Sequence, residues 1–86
     1  MNITTIQLSS INTQVVFGKE MESSIVPAEI IHQQAGLCED YHLFSLLDAD
    51  ALILFHGSKQ EIVKSKADAL ERIENLIQED YFLQVN

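Results

Sequence analysis

Basic residues are scarce in this chain. Five lysines and arginines stand against thirteen aspartates and glutamates, for a formal charge of −8, and Arg72 is the only arginine. A phosphate-binding surface needs clustered cations, so direct nucleic-acid binding is not expected, and neither is attraction to an anionic membrane surface. Cysteine is as rare: Cys38 stands alone, so no intrachain disulfide can form. The longest apolar run, Ala51 to Phe55, is far too short to span a bilayer. The opening Met1-Asn2-Ile3-Thr4-Thr5 lacks the basic and apolar regions of a signal peptide, which makes the cytoplasm the expected location. One proline and three glycines leave no linker, so residues 1–86 are read as a single small domain.

What is present is an ordinary globular balance, 47% hydrophobic and 21% charged, too apolar for wholesale disorder. A chain of 86 residues buries a modest core, which makes self-association into a homodimer a reasonable expectation. Excess acid keeps a small domain soluble, and it is also compatible with a basic protein partner.

Residues 3–8 are rich in β-branched types and predict a strand. Ser9-Ser10-Ile11-Asn12 reads as a turn, residues 14–17 as a second strand, Gly18-Lys19-Glu20 as a turn and residues 22–26 as a returning third strand. Pro27 suits the first turn of a helix, so residues 27–35 read as a helix stopped by Gly36. Residues 41–47 and 51–55 fit either two strands around Asp48-Ala49-Asp50 or helix. For 48–56 the helical reading is preferred, with Asp48 as cap and Gly57 as stop.

The clearest pattern predicts an amphipathic helix over residues 58–79. Ser58 and Glu61 have capping-box spacing. Ile62, Val63, Ala69, Leu70, Ile73 and the pair Leu76-Ile77 then fall on an arc about 140° wide at 100° per residue. Lys66 projects near the centre of that arc. Residues 81–85 read as a closing strand. The expected fold is α+β: a small antiparallel sheet of three or four strands with helices packed on one face. The long helix would bury Ile62, Leu70, Ile73 and Ile77.

The order of elements resembles a small bacterial family known only as a domain of unknown function. Its members show a strand ending in Val-x-Phe, a strand running into a short helix, a helical signature and a closing apolar strand. Val15-Val16-Phe17 and Ser24-Ile25-Val26-Pro27-Ala28-Glu29 resemble its hairpin and the approach to its first helix. The signature resembles Phe-x-x-His/Asn-Arg-x-x-Ile-x-x-x-Ala. Phe55 and Ile62 match it, whereas Ser58, Lys59 and Lys66 stand where it has His or Asn, Arg, and Ala. The resemblance implies an α+β fold and no assigned activity.

Few residues suggest chemistry. His32, Cys38, His42 and His56 are zinc-ligand types, but His-x5-Cys-x3-His is no standard finger or ribbon spacing. Cys38 as a nucleophile is disfavoured by Glu39 and Asp40, which oppose a thiolate. Asp48-Ala49-Asp50 superficially resembles the Asp-x-Asp of aspartate-based phosphatases and some sugar transferases. Those reactions need a Mg²⁺ site built from several distant carboxylates and a much larger fold. A capping or turn role accounts for Asp48. No catalytic residue, metal or cofactor is therefore assigned. Cys38, His42, His56 and Asp48 remain the polar set to locate.

Lys66, Lys59 and Phe55 are the candidate contact residues, with Lys66 either snorkelling to water or meeting a partner's carboxylate. The leading functional expectation is a non-enzymatic protein-interaction or regulatory module that self-associates. One alternative is an acidic inhibitor that mimics nucleic acid, which needs its carboxylates on one surface. The other is a small ligand-binding or enzymatic domain using the polar set.

Overall fold

The computed structural model describes residues 2–20 and 24–85. Five strands and two helices follow one another as β1 (Ile3–Gln7), α1 (Ser10–Phe17), β2 (Ile25–Ala35), β3 (Asp40–Leu46), β4 (Leu52–His56), β5 (Lys59–Val63) and α2 (Lys66–Val85). The strands form one antiparallel sheet in chain order, β1-β2-β3-β4-β5. The α+β class and the strand over residues 3–7 agree with the sequence reading; the sheet has five strands rather than three or four. Among the described residues, no helix is long and apolar enough to cross a membrane.

Residues 9–17 are not a turn and a strand. Ser9 caps a helix instead, its hydroxyl accepting from Asn12 N–H at 3.4 Å. Gly18 ends that helix with φ 74°, donating its N–H to the Gln14 carbonyl at 2.9 Å, a left-handed cap that glycine adopts without Cβ strain. Of the expected third strand, residues 22–23 lie outside the described residues and 25–26 open β2.

Pro27 starts no helix; it sits inside β2. Its carbonyl accepts from Leu47 N–H at 3.1 Å, and Leu47 lies just past the end of β3. The N–H that proline lacks is thus missed only where the ladder is already ending. β2 is long, and a bulge between Ile30 and His32 resets its register against β3. The preferred helix over 48–56 is also corrected: β3 and β4 flank a turn at 47–51, which was the alternative reading.

The largest correction concerns residues 58–79. Gly57, at φ 60°, occupies the first central position of a tight β4–β5 hairpin, the place where a type II′ turn uses glycine. Residues 59–63 then form β5, and the helix begins only at Lys66. Ser65 is its cap, its hydroxyl accepting from Asp68 N–H at 3.1 Å. The helix continues through Val85, so residues 81–85 form no closing strand.

Alternation along the strands divides the core in two. On one face Ile6, Leu8, Val26, Ala28, Leu46 and Ile53 are buried, with Val16 and Phe17 of α1 packed on them. On the other, Tyr41, Leu43 and Leu54 pack with Ala69 and Ile73 of α2. The neighbours Ile53 and Leu54 belong to different clusters, so the two helices cover opposite faces rather than one. Of the residues assigned to the long helix's buried arc, Ile73 is buried, Ile77 is half-buried and Leu70 is exposed. Ile62 is exposed on β5.

Candidate functional site

The sequence-predicted residues are scattered. Cys38 is exposed in the β2–β3 turn, accepting from Gln84 Nε2 at 3.2 Å. Asp48 is exposed at the opposite end of β3. His42 pairs with Phe55 on the α1 face, whereas His56 pairs with Tyr41 on the α2 face. The structure therefore does not converge Cys38, His42, His56 and Asp48 on one site. Among the described residues, no group of three or more His, Cys, Asp and Glu side chains is arranged to hold a metal.

Lys66 is exposed at the first position of α2, in line with Ile73 on the helix surface but not covered by the sheet. Lys59 is exposed opposite His56. Phe55 is half-buried, its ring edge-on to Phe44 at 5.2 Å, and serves packing.

His56 does sit in a polar network that spacing alone did not reveal. It is buried, with Nε2 2.5 Å from Glu61 Oε2 and Nδ1 3.6 Å from Glu39 Oε1. Arg72 of α2 donates from Nε to both Glu61 oxygens at 3.1 Å. Partial burial opposes ionisation of Glu61, but the hydrogen bonds from Arg72 and His56 outweigh it and hold the carboxyl below its ordinary value. The network fastens the start of β5 to the middle of α2. It borders a cleft of about 600 Å³ that Asp80 also lines. The Tyr41 hydroxyl is buried facing Asp80 without a hydrogen bond of good geometry among the described residues, and burial, then the charges of Asp80 and Glu39, push its pKa up. His56 is thus held as a structural tie through Nε2 to Glu61, with the Glu39 carboxylate near its other ring nitrogen.

Two apolar surfaces are open. Leu37, Ile77, Tyr81 and Phe82 line a groove of about 510 Å³ at the C-terminal end of α2. The other lies at the opposite end of the sequence. Residues 1–18 hold no charged side chain, in a chain of formal charge −8. Within that stretch α1 mixes polar and apolar residues on both its faces. Its Asn12 and Thr13 are 7% and 0% exposed, while Ile11 and Val15 are 75% and 69% exposed. Asn12 faces inward because Gln60 accepts from its side-chain amide at 3.0 Å. The Thr13 hydroxyl is satisfied by the Ser10 carbonyl at 2.8 Å. Val16 and Phe17 pack on the core, whereas Ile11 and Val15 are left to water.

β1 continues the uncharged region. It is an edge strand without charge, proline or bulge, the features that normally discourage edge pairing. The other edge, β5, carries Lys59 and Glu61 and is bound by Gln60 to the β1–α1 corner, with Gln60 donating to the Gln7 carbonyl at 2.9 Å. Ile3 and Ile25 lie on one face of the β1–β2 pair and are exposed. The run of eighteen residues without charge is the sequence signal of this segment.

No family model matches the chain, and no curated protein and no solved structure matches it.

Proposed function

We propose that this chain is a non-enzymatic protein-interaction module that docks through its uncharged N-terminal segment. The exposure of Ile11 and Val15 on the outer face of α1 carries the reading. α1 packs Val16 and Phe17 on the core and leaves Ile11 and Val15, one turn apart, in water, and it gains nothing from that exposure as an isolated surface. It gains when the exposed aliphatics are covered, and no carboxylate in residues 1–18 must be desolvated to cover them. The nucleic-acid mimic has less support. Carboxylates lie at both ends of β3, as Asp40 and Asp48, and along α2 from Asp68 to Asp80, while Glu61 is neutralised by Arg72.

The test uses two differently tagged copies expressed together in the chain's own host, captured by one tag, with bound proteins identified by mass spectrometry. Wild type should retain a stoichiometric companion, either the other tag or a different chain. Ile11→Asp/Val15→Asp should lose it while keeping its circular dichroism spectrum. The proposal fails when wild type retains no companion, or when the double variant keeps the same one.

A further inference from the structure

Resting on that reading, we infer that the occupant of the uncharged segment is a second copy of the chain, joined by antiparallel pairing of β1 with β1. The backbone of β1 alternates in direction. Leu8 N–H bonds to the Ser24 carbonyl and Ile30 N–H to the Asn2 carbonyl, so the even-numbered residues of this strand face β2. Ile3, Thr5 and Gln7 therefore turn their backbone groups outward. The Gln7 carbonyl is taken by Gln60. The outward N–H and C=O of Ile3 and Thr5 form the open part of the edge.

This part is self-complementary. A two-fold axis at Thr4 sets Ile3 opposite Thr5 of the second copy and Thr5 opposite its Ile3. At each of these pairs both backbone hydrogen bonds are exchanged. The sheet continues across the junction, and Ile3 of the two copies become diagonal neighbours on the face that α2 leaves uncovered near β1. The self-complementary edge selects the occupant. A basic partner is drawn to the carboxylates of α2 and the sheet ends, not to a region without charge. A second copy carries the same −8, and residues 1–18 are the stretch where two copies meet with least carboxylate repulsion, Glu29 beside Ile3 being the nearest carboxylate across β1.

Sedimentation equilibrium over a wide concentration range tests the pairing. Wild type should move from the mass of one chain to that of two. Thr5→Pro removes an outward donor in each copy, and Thr5→Lys puts like charges at the junction. Each should weaken association about tenfold or more with unchanged circular dichroism. Two variants are used so that poor folding of the proline form does not decide the result. A wild type that stays at one chain's mass overturns the pairing, as do Thr5 variants that associate like wild type. Loss of the dimer only in Ile11→Asp/Val15→Asp also overturns it, but leaves the proposed function standing, because the copies would then meet through α1.

Discussion

Replacing Gln60 with alanine tests how the ends of the sheet are held together. Gln60 accepts from Ser9 N–H and from the Asn12 side-chain amide, each at 3.0 Å, and donates to the Gln7 carbonyl at 2.9 Å. The backbone groups of Gln7 and Ser9 belong to exposed residues, so water replaces two of these bonds at about 0.5 kcal/mol each. Asn12 is buried, and leaving its amide without an acceptor costs about 1–3 kcal/mol. The expected loss is about 3 kcal/mol, which lowers Tm by about 10–20 °C in a domain of this size. Thermal and urea unfolding followed by circular dichroism, at one fixed protein concentration, measures it. A double-mutant cycle with Asn12→Ala should show a coupling energy of about 1 kcal/mol. A Gln60→Ala cost below about 0.5 kcal/mol, or strict additivity with Asn12→Ala, would refute the reasoning.

Other expectations concern the α2 side. Because Glu61 is held below its ordinary value of 4.5, its ion pairs contribute stability fully above that pH. The contribution is lost as pH falls through the lowered folded value, so Glu61→Gln should flatten the acid limb of a urea-midpoint profile; an unchanged limb contradicts this. Tyr41→Phe removes a buried hydroxyl that has no hydrogen bond of good geometry among the described residues and should leave stability unchanged or raise it by about 1 kcal/mol. A clear loss in the same urea titration would show that the hydroxyl is satisfied. Ile73→Ala, at the centre of the contact between α2 and the sheet, should cost about 3 kcal/mol in that assay, and a cost below about 1 kcal/mol would place the core elsewhere.

Composition and the first strand were legible in the sequence, but most element types were not, for identifiable reasons. Ser58-x-x-Glu61 and Ser65-x-x-Asp68 present competing N-terminal signals seven residues apart. Ile62 and Val63 fit the helical arc of the first, and only the tight hairpin at Gly57 shows that the second is used. Pro27 suggested a helix start because its missing donor is harmless there, but it is equally harmless where β3 ends. α1 reads as a turn and a strand because Ser9, Ser10 and Asn12 are turn formers and Val15-Val16-Phe17 is a β-branched and aromatic run; its inner face mixes Asn12 and Thr13 with Val16 and Phe17. The outward Ile11 and Val15 make it a candidate contact surface. The His56 network depends on Glu39, Glu61 and Arg72, three elements brought together only by folding.

Hydrogen exchange at β1 tests the central claim most directly. In a single copy the outward amides of Ile3 and Thr5 have no partner among the described residues, while the inward amide of Leu8 is bonded to Ser24. Exchange of Ile3 and Thr5 should therefore slow as protein concentration rises through the dimerisation range, with α2 amides such as Ile73 serving as a concentration-independent reference. Ile3 and Thr5 amides that exchange at the same fast rate at every concentration would contradict the account.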